Sequence, residues 1–131
     1  MAVEFGLSHV KVTIGAPPGA PLESIKSPID YFRPQDAPPT ALEFNPAQAL
    51  KLVISTAQSA IAESNISPAD IAGIGVTSQR QGPVLLNLEG QPLYAGSNRD
   101  RRASAEGADV DSNALVDVGE LTGHGPAMLT A

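Results

Sequence analysis

Ile74-Gly75-Val76-Thr77-Ser78-Gln79-Arg80-Gln81-Gly82 is the stretch whose reading decides the fold. An apolar run stops abruptly at a cluster of amide, hydroxyl and guanidinium groups. A buried strand that ends this way delivers those groups to the mouth of a sheet, where they can grip a small polar ligand. A second apolar run, Pro83 to Leu88, turns at Glu89-Gly90 and returns through Pro92-Leu93-Tyr94-Ala95. It ends in another polar cluster, Asn98-Arg99-Asp100-Arg101-Arg102.

Working upstream, Asn45-Pro46 is a strong helix start, because Asn caps well and Pro is tolerated at the first helical position. Leu50, Ile54, Ala57 and Ile61 then recur at helical spacing, and the stripe is expected to be core. The helix should end near Ser64-Asn65. Ser67-Pro68-Ala69-Asp70 makes a second capped start of a single turn, and Ile71 to Thr77 follows as a buried strand. A helix running into a buried strand is an α/β connection, with parallel pairing to the first strand of the chain expected.

That first strand is Ala2 to Phe5. A second spans His9 to Ile14, where Val10, Val12 and Ile14 alternate with Lys11 and Thr13 in the period-2 pattern of a half-buried strand. A turn at Gly15 to Pro21 leads to a short third strand at Leu22 to Ile25, giving a three-stranded meander. Residues 28–46 hold Pro28, Pro34, Pro38, Pro39 and Pro46 and read as an extended segment, either a linker or one packed through Tyr31 and Phe32. Downstream, helices are expected over Arg101 to Asp109 and Asp111 to Glu120. A break at Gly123-His124-Gly125-Pro126 precedes a helical start at Ala127 to Ala131.

Composition narrows the function classes. At 131 residues and 42% apolar content, the chain suffices for one domain with an ordinary core. Fourteen acidic against 8 basic residues give a net charge of -6, which opposes nonspecific nucleic-acid binding and adsorption to anionic membranes. No cysteine is present, so disulfides and thiolate metal sites are excluded and a reducing cytoplasm is the expected compartment. No apolar run approaches the roughly 20 residues of a membrane span, and the N-terminus lacks the pattern of a signal peptide. His9 and His124 have no companions at zinc-ligand spacing, and neither makes a nucleophile–base pair with a serine.

In order, these elements resemble the N-terminal part of the FGGY carbohydrate kinases, the family of glycerol kinase and xylulokinase. Three places carry the resemblance: Val3-Glu4-Phe5-Gly6-Leu7-Ser8-His9-Val10-Lys11, Ile71 through Gly82, and Asn87-Leu88-Glu89-Gly90-Gln91-Pro92-Leu93 followed by Asp100-Arg101-Arg102. The last resembles the hairpin that leads to the family's Trp-x-Asp-x-Arg motif, and Glu120-Leu121-Thr122-Gly123 fits a recurring Thr-Gly. The resemblance covers nearly the whole of residues 1–131.

It implies an incomplete ribonuclease-H-like, actin-type ATPase domain, with a mixed sheet and flanking helices. It implies transfer of the ATP γ-phosphoryl group to a sugar or polyol hydroxyl. On that likeness Glu4 is the magnesium-facing carboxylate, Gly6, Ser8 and Lys11 face the ATP phosphates, and Gln79, Arg80, Gln81, Asp100 and Arg102 face the sugar. Glu4 stands where the family has Asp, Leu7 where it has Thr, and Asn98 where the motif has Trp. The family's catalytic base is an Asp from beyond the region matched here, so no catalytic residue is expected in this chain and no turnover from it alone. A C-terminal kinase domain or a second copy is the implied protein partner. The rival reading is a non-catalytic descendant that binds a sugar or a partner. Read without the likeness, the Arg99 to Arg102 cluster is a solvated helix start, a ligand contact, or an arginine–carboxylate pair holding its loop, with Asp109 and Asp111 as candidate acids.

Overall fold

The computed structural model describes residues 1–16, 18–113 and 116–123. They fall into two compact units, one of residues 1–30 and 45–79 and the other of residues 31–44 and 80 onward. The helical start expected at Ala127 to Ala131, and His124, lie outside the described residues.

The first unit is a four-stranded sheet under one helix. Strands β1 (Ala2–Phe5), β2 (His9–Ala16) and β3 (Ala20–Pro28) form the antiparallel meander. Both β2 and β3 run further than alternation alone indicates, because the chain reverses where Gly19 N donates to the Ala16 carbonyl. Helix α1 (Pro46–Ser64) starts where Asn45 accepts the Gln48 backbone N–H at 3.0 Å, and it ends on Asn65 in the left-handed region. A single 3-10 turn at Pro68–Asp70 is closed by a reciprocal Ser67–Asp70 capping box. Strand β4 (Gly75–Ser78) then pairs parallel to β1, so the sheet order is β3-β2-β1-β4.

Register fixes which side chains share a face. Val3 lies opposite Val12 and Phe5 opposite Val10, and Val3, Val10, Val12 and Ile14 are buried. Glu4 lies opposite Lys11 on one side and Thr77 on the other, which puts all three on the opposite, polar face. Helix α1 packs on β2 and β3. Its buried centre is Thr56 and Ala60, and the Thr56 hydroxyl bridges to Ser27 Oγ at 2.8 Å and to the Leu52 carbonyl at 2.7 Å.

Two burial expectations fail here. The Leu50-Ile54-Ala57-Ile61 stripe is not core throughout: Leu50 is 61% and Ile54 49% exposed. The stripe sits roughly a quarter-turn around the helix from the Thr56–Ala60 line, and among the described residues nothing of the first unit covers it. Likewise the segment read as a buried strand over Ile71 to Thr77 is strand only from Gly75, with Ile74 62% and Val76 74% exposed. Because β4 is the sheet's edge and α1 lies over the far strands, an apolar sequence is left without a cover.

The second unit is built on strands β5 (Val84–Leu86) and β6 (Pro92–Ala95), an antiparallel hairpin whose turn is tied by Asn87 Oδ1, which accepts the backbone N–H groups of Glu89 and Gln91. The proline-rich segment is no loose linker. Phe44 N donates to the Ala95 carbonyl at 3.1 Å, Ser97 N to that of Leu42 at 3.0 Å and Arg101 N to that of Thr40 at 3.0 Å. Residues 40–44 therefore run antiparallel to residues 95–101. Phe32 and Glu43 exchange both backbone bonds at 2.8 and 2.9 Å, and Tyr31 meets Phe44 edge-on at 6.2 Å. Helices α2 (Ser104–Asn113) and α3 (Val118–Thr122) follow, both displaced C-terminally from their expected starts. Asp117 caps α3 by accepting Glu120 N at 2.8 Å, which the hydrophobic pattern did not mark.

Candidate functional site

The sequence-identified residues divide between the two units. Glu4, Gly6, Ser8, Lys11 and Gln79 belong to the first; Arg80, Gln81, Asp100 and Arg102 belong to the second.

In the first unit the β1–β2 turn is closed by Gly6 N donating to the His9 carbonyl at 2.9 Å. A Cβ at Gly6 would stand 3.1 Å from that same oxygen and 3.7 Å from Glu4 Oε1, so any side chain there must push the turn by a few tenths of an ångström. Ser8 Oγ shares a hydrogen bond with His9 Nδ1 at 2.8 Å, and the Ser8 carbonyl accepts Ile29 N at 2.9 Å. Gln79 N extends the β1–β4 pairing by donating to the Phe5 carbonyl at 2.7 Å. Beside this turn, the polar face of the sheet forms an open depression of about 430 Å³ lined by Glu4, Lys11, Thr13 and Thr77 among others. A larger hollow of about 590 Å³ near the β2–β3 tip is lined mostly by Ala, Gly and Pro and offers a ligand little besides Thr13.

Glu4 supplies the one carboxylate in the depression's lining, with the Lys11 ammonium-bearing chain beside it in register. Among the described residues no group of three or more His, Cys, Asp or Glu side chains could hold a metal by itself. Magnesium keeps most of its shell as water and phosphate oxygen and takes one or two carboxylates from a protein, so this donor set fits a magnesium–nucleotide complex and not a bare ion.

In the second unit Asp100 is 1% exposed and is the hub. Its Oδ2 accepts Leu42 N at 3.0 Å, Arg102 Nε at 3.0 Å and an Arg102 terminal nitrogen at 2.6 Å; its Oδ1 accepts Arg102 N at 3.1 Å. The same Arg102 terminal nitrogen donates to Glu43 Oε1 at 2.7 Å, and the guanidinium carbon lies 5.1 Å from the centre of the Tyr94 ring. Tyr94 OH reaches Asp100 Oδ2 at 3.4 Å. Burial pushes the Asp100 carboxyl upward, but hydrogen bonds from the Arg102 guanidinium and from the Leu42 and Arg102 backbone outweigh it and leave it below its ordinary value. Burial first, then the Asp100 charge, raise the Tyr94 phenol, whereas the bond to Asp100 holds the Arg102 guanidinium protonated well above its usual range.

The arginine–carboxylate pair is thus made with Asp100 and Glu43. Asp109, one acid expected for it, instead bonds Asn113 at 2.8 Å, and the side chain of Asp111 lies outside the described residues. Arg80 and Gln81 are both exposed, and Gln81 adopts a left-handed φ of 62°, uncommon for a residue with a side chain.

Three residues of this cluster escaped the sequence reading. Glu43 is a single acid between Leu42 and Phe44 in a segment judged extended, and a charge in such a sandwich was the signal available. Tyr94 is the penultimate residue of β6, where an aromatic with a polar tip marks a half-buried position beside a polar partner. Gly96 lies under Tyr94: a Cβ built there would overlap the ring and hydroxyl, so the tyrosine occupies the space glycine leaves.

Comparison with known proteins places the chain. Residues 2–122 match the model of the FGGY family of carbohydrate kinases, N-terminal domain. A glycerol kinase of Paracidovorax citrulli is 31% identical over 105 residues, 79% of this chain and 20% of that protein. An autoinducer-2 kinase of Escherichia coli is 33% identical over 72 residues, 55% of this chain and 14% of that protein. The crystal structure of a xyloylose kinase from Brucella ovis superposes with a TM-score of 0.84 at 25% identity, covering 98% of this chain and 26% of that one. This chain therefore spans about a quarter or less of these relatives. The mixed sheet with flanking helices is that of an actin-type ATPase domain in part, and the chain belongs to the FGGY family of carbohydrate kinases, as their N-terminal domain.

Proposed function

We propose that this chain contributes the phosphate- and magnesium-facing and sugar-facing parts of an ATP-dependent sugar or polyol kinase of the cytoplasm, and that it transfers no phosphoryl group alone. The observation that carries the reading is the Glu4–Lys11–Thr77 face beside the Gly6–Ser8 turn, in a chain of this family. Phosphoryl transfer is catalysed mostly by positioning and charge neutralisation, so a rigid face with one carboxylate, one cation and hydroxyls suits it.

Each residue has a distinct part. Gly6 serves through the space it leaves, since its own N–H is spent on His9. Ser8 offers a hydroxyl at the turn, and Lys11 balances phosphate charge. Glu4 would hold the magnesium, which when bound supplies further charge neutralisation at the phosphate oxygens. Gln79, Arg80 and Gln81 offer amide and guanidinium donors to sugar hydroxyls. Asp100 and Arg102 serve the same end: locked to each other and to Glu43, they fix the loop that borders the sugar. The protein partner is the remainder of a kinase or a second copy.

The second reading, a sugar- or partner-binding module without catalysis, is favoured by Glu4, Leu7 and Asn98, which stand where the family pattern has Asp, Thr and Trp. Calorimetry with neutral polyols and pentoses, with Arg80→Ala and Asp100→Ala as controls, tests the sugar site: heat lost in both variants supports it, and no heat with any sugar rejects autonomous binding. A coupled ATP-turnover assay should stay at background; robust turnover would overturn the claim that this chain alone is inactive.

A further inference from the structure

We propose that the second unit takes a sugar that carries a fixed anionic group, a carboxylate or a phosphate ester, held by Arg80, Arg99 and Arg101. This rests on the carbohydrate-kinase reading and narrows its substrate class. The two units use different cations: Lys11, Lys26 and Lys51 all belong to the first, and Arg33, Arg80, Arg99, Arg101 and Arg102 all belong to the second. Arginine is the residue whose planar fork matches carboxylate and phosphate oxygens two at a time.

In a chain of net charge -6, residues 98–102 hold three arginines and one acid. That acid, Asp100, and the nearby Glu43 are both taken by Arg102, so neither neutralises the others. Arg80, Arg99 and Arg101 are exposed, and among the described residues none of the three makes an ion pair. A solvated surface of an acidic protein is expected to intersperse its charges, and here the two acids beside these arginines in the ladder, Asp100 and Glu43, are both occupied by Arg102.

Backbone placement puts Arg80 and Arg99 beyond the same end of the hairpin, with Arg101 two positions further on. The hairpin pairs Val84 with Ala95, and Gly96 N bonds the Pro83 carbonyl at 3.0 Å, so both strands lead out on one end towards Arg80 and Arg99. Arg99 N is fixed to Ser97 Oγ at 3.2 Å and Arg101 N to the Thr40 carbonyl at 3.0 Å. The Arg99 and Arg101 side chains thus spring from pinned backbone, and a ligand would order few further bonds there.

The test is calorimetry of the full chain at low and physiological salt against a matched six-carbon series: sorbitol, gluconate and sorbitol 6-phosphate, with acetate and inorganic phosphate as anions without a sugar. One of the two charged sugars should bind about tenfold or more tighter than sorbitol, and which of them does so tells carboxylate from phosphate. Binding should weaken as salt rises and fall roughly tenfold in Arg99→Gln or Arg101→Gln, with the far-UV spectrum unchanged because both side chains are exposed. Sorbitol binding as tightly as the charged sugars would overturn the proposal and leave the kinase reading standing. Acetate or phosphate binding as tightly as the charged sugars would overturn it as nonspecific anion capture. No binding by any of the five overturns it together with autonomous sugar binding.

Discussion

Replacing Arg102 by Met is the sharpest probe of the second unit. Met keeps an aliphatic stem against Tyr94 and removes the charge that Asp100, at 1% exposure, depends on. Stripping one partner from a buried pair costs roughly 3–5 kcal/mol when the other is left uncompensated. Asp100 retains Leu42 N and its bond to the backbone N–H of residue 102, so a loss of about 2–3 kcal/mol is expected. With a denaturant slope of roughly 1.5 kcal/mol per molar, the urea midpoint should fall by about 1.3–2 M. Tyrosine fluorescence isolates this unit, because the chain has no tryptophan and both tyrosines, Tyr31 and Tyr94, lie in it.

The pH dependence should change sign as well. In the native protein the Asp100 carboxyl lies below its ordinary 3.8, so its stabilisation is present above that value and is lost as pH falls through the folded pKa. Without Arg102 the upward push of burial prevails. The carboxyl is then raised, and its stabilisation is fullest at low pH and lost as pH rises through the folded pKa. The variant should therefore gain stability between about pH 7 and about pH 4, where the native protein does not. Adding Asp100→Asn should recover most of the loss, since neither charge then remains buried without its partner. A loss under about 1 kcal/mol, or a double variant no more stable than the single, would refute the view of Asp100 as a buried, charge-dependent hub.

Gly96→Ala should cost about 1–3 kcal/mol by driving the Tyr94 ring off its seat, and Tyr94→Ala in the same chain should remove most of that penalty; equal melts for native and Gly96→Ala would reject the close packing. Leu50→Gln and Ile54→Gln should change stability by no more than about 0.5 kcal/mol, because both side chains face solvent, whereas Ala60→Leu at the buried centre of α1 should cost about 1–3 kcal/mol. A large loss at Leu50 with little at Ala60 would mean the helix presents a different face to its sheet.

The elements were legible where local chemistry is self-sufficient. The Val10-Val12-Ile14 alternation, the Asn45-Pro46 helix start and the Ser67–Asp70 box each satisfy their own backbone within a few residues, so a single stretch of sequence discloses them. Burial was legible only where the described residues bring the cover. Leu50, Ile54 and Val76 have the composition of a core and lack a neighbour here, and no local pattern reports what packs on a helix flank or a strand edge. The second unit was hardest for a related reason. Glu43 and Arg102 are separated by 59 positions, and their pairing follows from a ladder between residues 40–44 and 95–101 that proline content had argued against. Prolines sit at positions around that ladder, while its donors come from Phe44, Ser97 and Arg101, none of which is proline.

That ladder also sets an order of events during synthesis. Leu42 leaves the ribosome 58 residues ahead of Asp100, a wait of roughly 3–12 s at 5–20 residues per second. Through that interval residues 40–44 lack the 95–101 strand they pair with, while residues 1–30 and 45–79 can already collect into a sheet and helix. The loop must then be closed all at once, and closure entropy is met before Arg102 returns any of it. Nascent chains stalled before residue 102 should hold the first unit folded and the 31–44 segment open to protease, so the Glu43–Arg102 pair marks the moment at which this polypeptide becomes resistant.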